Sequence, residues 1–157
     1  MKKFLAIMVV ALVSLTAHAQ RTPHAFGAHF GGSTIDLEYQ YHFSNKNFLA
    51  VDAGVFDLDD GFSLQAVYNW NIQQWGHWTP RFGTWKLWGG VGGGLGSFSD
   101  DFFFGPVGTL GFGFTLKACP LTMGVDYRPM VAFNCGDDFD IIDRGFRNIG
   151  LTVTYRF

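Results

Sequence analysis

The sequence predicts an all-β protein, an eight-stranded antiparallel up-and-down transmembrane β-barrel, and three observations predict it. From residue 25 onward apolar and polar side chains alternate with a period of two, the mark of strands whose two faces meet different surroundings. The polar phase is poor in Lys and Glu and rich in Gly, Ser, Thr and Asn, which suits the crowded inside of a narrow barrel better than a surface in water. Beyond the first twenty residues no apolar run is long enough for a membrane-crossing helix, and a closed barrel is the other fold that satisfies every backbone group in lipid. A water-soluble, lipocalin-like barrel would show the same period; the scarcity of charge on the polar phase argues against it.

The composition fits. Eighteen Phe, five Trp, five Tyr and 21 Gly stand against 11 basic and 13 acidic side chains in 157 residues, enough chain for one domain. The N-terminus reads differently from the rest. Lys2 and Lys3 precede the apolar run Phe4 to Leu15, and Ala17-His18-Ala19 supplies a small-x-small cleavage pattern. Residues 1–19 are therefore expected to be a cleaved signal peptide and residues 20–157 the barrel. Losing Lys2 and Lys3 takes the formal charge from −2 to −4, which speaks against nucleic acid as a partner.

Strands follow in order. A short opening strand lies near Ala25 to Gly31. From Ser33 to Phe43 alternation is complete, with Ile35, Leu37, Tyr39, Tyr41 and Phe43 against Asp36, Glu38, Gln40 and His42. Leu49 to Val55 and Phe62 to Ile72 continue it, followed by Trp85 to Leu95, whose opposite phase is mostly glycine. Leu110 to Leu116, Leu121 to Phe133 and Ile149 to Phe157 complete eight, an even number of strands of about ten residues. Pro129 interrupts the seventh, and a bulge or bend is expected there because proline cannot donate to a ladder. The glycines from Gly89 to Gly96 lack the dinucleotide fingerprint and are read as close-packing positions.

With the N-terminus on the periplasmic side, no acid faces lipid. Asp36, Glu38, Asp52 and Asp126 point inward. Asp57, Asp59, Asp60, Asp100, Asp101, Asp137, Asp138, Asp140 and Asp143 fall in three longer outward loops, at 57–61, 97–105 and 134–145. Trp70, Trp75, Trp78 and Trp85 gather around the longest periplasmic turn, as an interfacial girdle would.

The ending Gly150-Leu151-Thr152-Val153-Thr154-Tyr155-Arg156-Phe157 resembles the C-terminal strand signature of bacterial outer-membrane barrels. The chain resembles the small eight-stranded barrels of the OmpA/OmpX type, and Pro120 to Pro129 is similar to the penultimate strand of small barrels from Bacteroidetes-type bacteria. The resemblance implies an integral outer-membrane location and assembly through the barrel assembly machinery, with Tyr155 and Phe157 as the signal. That group holds adhesins, structural proteins, narrow channels and lipid-modifying enzymes, so it implies no single activity.

Candidate sites follow from these placements. Asp36, Glu38, Asp52 and Asp126 with His29, His42, Lys86, Arg128 and Arg156 are expected to form an ion-pair network plugging the lumen, with a narrow pore as the alternative. His29, Asp36 and Ser33 offer an inventory for nucleophilic chemistry on lipid A but no motif, and no enzymatic role is expected. Phe102, Phe103, Phe104 and Phe139 beside the loop acids suit a surface contact with lipopolysaccharide or a protein partner. The acids lack EF-hand spacing, and neither a metal nor a cofactor is expected. Cys119 and Cys135, at opposite ends of the seventh strand, are expected to be free thiols.

Overall fold

The computed structural model describes residues 23–32, 34–56, 61–76, 82–98, 101–134, 141–142 and 148–157. The expected signal peptide, Ser33, Trp78, Cys135, Phe139 and all the loop acids except Asp101 lie outside them. Ten strands form among the described residues: β1 (His24–Phe30), β2 (Thr34–His42), β3 (Asn47–Phe56), β4 (Gly61–Trp75), β5 (Gly83–Phe98), β6 (Asp101–Leu116), β7 (Leu121–Tyr127), β8 (Ala132–Asn134), β9 (Ile141–Ile142) and β10 (Ile149–Arg156). Each of β1 to β6 pairs antiparallel with the next, and β10 joins β7 to β1 and closes the ring. β8 continues the line of β7 along β6, and the two-residue β9 pairs with β8 beside it, so the closed ring of β1 to β7 and β10 has eight strands.

The ladders fix the tilt. In one direction round the ring, Ala28 faces Leu37, then Ala53, Leu64, Leu95, Phe104 and finally Phe133; in the other it faces Val153 and then Met123, ten residues away on the same wall strand. A stagger of about ten residues at ~3.3 Å each around eight strands ~4.8 Å apart tilts the strands by about 40°. Such a barrel has an interior just wide enough for side chains to fill.

One phase of every strand is turned out. Phe26, Leu37, Val55, Leu64, Val91, Leu110, Val125 and Leu151 are all exposed, a belt of bare apolar side chains around the wall. Near the end that carries both described termini the belt turns aromatic. Tyr41 meets Phe43, Phe43 meets Tyr68 and Tyr68 meets Trp70, while Trp85 stacks on Phe112 at 4.9 Å.

Two expectations are corrected here. Pro129 makes no bulge. The ladder keeps its register from Leu110 opposite Tyr127, through Val107 opposite Met130, to Phe104 opposite Phe133. Gly108 N donates to Pro129 O at 2.8 Å and Val131 N donates to Pro106 O at 3.0 Å. The reciprocal bonds cannot form, because Pro106 and Pro129 have no N–H, so the wall strand is interrupted without being displaced. The bulge lies instead in β4, where Asn71 faces Trp88 but Gln73 faces Leu87 and Ile72 is the extra residue.

The second correction concerns Asp101 to Phe104. They are not loop residues, because β5 and β6 pair continuously as far as Phe98 opposite Asp101. The short-period alternation simply carries on. Phe102 and Phe104 are exposed on the outer face, while Phe103 turns into the barrel and is buried.

Candidate functional site

The site is the interior of the barrel, and alternation places its side chains. His29 on β1 lies opposite Asp36 on β2, so both point inward at one level. Asp52 on β3 lies opposite Glu38. Asp126 is the last but one residue of β7, and Arg128 follows two residues later with the same inward phase.

These six groups form one connected assembly. Arg128 Nη2 donates to Asp126 Oδ2 at 2.8 Å and to Glu38 Oε2 at 3.1 Å, and Nε donates to Asp126 Oδ2 at 3.0 Å. Nη1 lies 2.7 Å from Asp52 Oδ2, an ionic contact whose angles fall short of a hydrogen bond. The wall strand that supplies Arg128 is four strands from β3, so the guanidinium is a strut across the lumen. His29 bridges two carboxylates, Nδ1 at 3.0 Å from Asp36 Oδ2 and Nε2 at 2.9 Å from Asp126 Oδ1. Thr152 donates to Glu38, and Thr34 and Ser63 donate to Asp36. Five of the six are both paired and hydrogen-bonded, the condition under which buried charges persist, while Asp52 has its ionic contact with Arg128.

Glycines make the longer reaches possible. Gly150 lies opposite Asp126 on the strand between it and His29, and a Cβ there would come within 2.4 Å of His29 Nε2. Gly54 separates Asp36 from Ser63 in the same way, and its Cβ would fall on the Asp36 carboxylate. In both cases a missing side chain on the middle strand lets groups on its two neighbours meet.

Above and below this charged layer apolar clusters share the lumen with Gln40, Gln65, Asn69 and Thr109. Toward the terminal end Phe48, Ala50 and Trp88 are buried together, and the Trp88 indole lies over Gly111, Gly113 and Gly124. His42 stacks on Phe48 with centroids 5.0 Å apart. Toward the other end Val67, Phe103, Val107, Met130 and Ala132 form a second cluster. Of the nine expected network residues, six converge. His42, Lys86 and Arg156 gather instead at the terminal mouth, where the charges of Arg156 and Lys86 act on His42.

The apolar layers were not expected, because Phe48, Val67, Trp88, Val107 and Met130 sit on the phase otherwise given to small and polar residues. Their signal in the sequence was the glycine run of β5 and β6, which vacates the space they fill.

Chemically, both His29 nitrogens face carboxylate oxygens, so neither is left to take a proton from a nucleophile. Among the described residues no group of three His, Cys, Asp or Glu side chains could hold a metal ion. Cys119 is an exposed free thiol in the β6–β7 connection. Tyr155 and Phe157 pack edge to face at 5.7 Å, and Phe157 N donates to His24 O, tying the last residue to β1.

Among known proteins, no family matches the sequence and no curated protein is a recognisable relative. A solved structure from the de novo design of transmembrane β-barrels does match in three dimensions. It is 13% identical with a TM-score of 0.58, and the match covers 88% of this chain and 98% of the designed one. The likeness is one of fold, and the fold is that of a transmembrane β-barrel.

Proposed function

We propose that this chain is an integral outer-membrane protein of the small-barrel type, without enzymatic activity, acting in envelope structure or surface contact rather than transport. The observation that carries the reading is the pairing of an uninterrupted apolar exterior with an interior filled by side chains. The belt requires lipid, since so much apolar surface in water would aggregate. The interior leaves little to conduct through, because the Arg128 strut and Trp88 block it at two levels.

The end with the described termini then faces the periplasm, and the end of the connecting segments 57–60 and 135–140 faces outward. Export by residues 1–19 and delivery through the assembly machinery by Tyr155 and Phe157 belong to the same reading. So do contacts with lipopolysaccharide or a surface protein through Asp57, Asp59, Asp60, Asp100, Asp137, Asp138, Phe139 and Asp140. Gel mobility of membrane-extracted protein, heated and unheated, tests the barrel's place. A heat-dependent shift with cleavage of intact cells only in those segments is expected, and a freely soluble protein with no shift would refute it.

One observation favours a narrow pore as the second reading. Asp52 on β3, Gln65 and Asn69 on β4 and Thr109 on β6 hold buried oxygens without hydrogen-bond donors, the last three on the strands flanking the glycine-lined inner face of β5. Such oxygens are ordinarily met by buried water. Planar-bilayer conductance at background for wild type and for Arg128→Ala would sink the pore.

A further inference from the structure

Charge is segregated along the barrel axis. Among the described residues, Asp36, Glu38, Asp52 and Asp126 lie in the middle of the lumen and Asp101 at the far end, so the end with the termini holds no acidic side chain. The same end holds Lys46, Lys86, Lys117 and Arg156, every described Lys and Arg except Arg128. The sequence of its three connections repeats the pattern: 43–46, 76–82 and 117–120 carry one Lys or Arg each and no Asp or Glu.

Two of these cations stand in the same setting. Lys46 is exposed in the β2–β3 turn, whose backbone is clamped to β4: Asn71 N donates to Lys46 O at 2.7 Å, and Asn71 Nδ2 and Gln74 Nε2 both donate to Asn45 O. Beside it runs the outward aromatic row of Phe43, Tyr68 and Trp70, and Asn47 ties the Tyr68 hydroxyl to the turn. Lys117 is exposed in the β6–β7 connection. Its N donates to Phe82 O at 2.8 Å, next to the outward cluster of Trp85, Phe112 and Phe114. Neither lysine is ion-paired among the described residues.

On the membrane reading above, from which this inference proceeds, such aromatic rows mark the level where hydrocarbon gives way to headgroups. A lysine just beyond them stands at headgroup depth with no carboxylate of its own chain beside it. The β2–β3 and β6–β7 connections lie four strands apart in the ring of eight, on opposite walls. A protein docking on one wall would meet one lysine, whereas a leaflet encircles the barrel and meets both. A zwitterionic headgroup brings its own cation to its phosphate, and an anionic one does not.

We infer that Lys46 and Lys117 each hold the phosphate of an anionic phospholipid in the leaflet at the end with the termini, as two like sites on opposite walls. One lysine at a membrane surface raises affinity for such a lipid about five-fold.

Native mass spectrometry of the whole barrel tests this, with protein released from vesicles of equal parts phosphatidylglycerol and phosphatidylcholine. Wild type is expected to keep up to two phosphatidylglycerols, each favoured about five-fold over phosphatidylcholine. Lys46→Gln and Lys117→Gln should each lower the number to one, and the double variant should lose the preference. Lys46→Arg with Lys117→Arg should keep both lipids, and Asp101→Asn, at the other end, should change nothing. No preference in wild type, a preference that survives the double glutamine variant, or as large a loss in Asp101→Asn would overturn the sites. So would wild type without preference whose two lysines are shielded from an amine-reactive label in intact envelopes, which would assign this end to a protein partner. Heat-dependent gel mobility of each variant separates these results from failure to enter the bilayer, the outcome that would remove the membrane reading itself.

Discussion

The two sides of the barrel are built on opposite plans. On β1, β2, β3, β7 and β10 the inner face carries His29, Asp36, Glu38, Asp52, Asp126 and Thr152, and polar bonds hold the wall together across the lumen. On β5 the inner face from Gly90 to Gly96 is glycine at every inward position, and its neighbours lean into the space so freed. One wall supplies groups and the other supplies room. A narrow barrel cannot have large side chains on every wall, so the strut from one side requires bareness on the other.

The comparison can be broken most forcefully at its centre. Arg128→Ala leaves Glu38, Asp52 and Asp126 buried without their shared cation, and should cost about 3–5 kcal/mol of folding free energy, read from urea titration of the folded gel band. Trp88→Ala, which empties the space over Gly111, Gly113 and Gly124, should cost about 3–5 kcal/mol at most, with less if the lower lumen admits water. If bilayer conductance rises in Trp88→Ala but not in Arg128→Ala, the indole is the tighter seal.

Glycine substitutions sharpen the contrast. Gly150→Ala puts a methyl against His29 and Phe30 O and should destabilise by about 1–3 kcal/mol. Gly93→Ala, on the open outer face, should change stability by no more than about 0.5 kcal/mol. Equal effects at the two positions would show that the glycines serve backbone freedom rather than space. Pro129→Ala acts on the backbone seam between β6 and the interrupted wall strand. It restores an N–H opposite Gly108 O and should stabilise by about 0.5–1.5 kcal/mol, with slower amide exchange at Gly108 and Val131.

The sites were partly legible in advance. Asp36, Glu38, Asp52, Asp126 and Arg128 were placed inside by alternation, because a period of two leaves a strand residue only two directions to face. Their partners were not legible. Asp126 contacts His29 across β10, 97 residues away in sequence, and only the ladder register brings them to one level. In sequence Phe103 reads as a loop contact because Phe102, Phe103 and Phe104 stand next to Asp100 and Asp101, and acids in sequence suggest an exposed turn. The hairpin pairs through them, and pairing then turns the middle phenylalanine inward.

By itself, then, the sequence determined that strands form, how many there are and which phase of each faces out, since these depend on neighbours within a few residues. It did not determine the stagger of about ten residues, the unbroken register at Pro129 or the meeting of Arg128 with Glu38 and Asp52. Those depend on closure: each ladder is set against the next around the ring, and only a register that satisfies all eight at once brings the last strand onto the first.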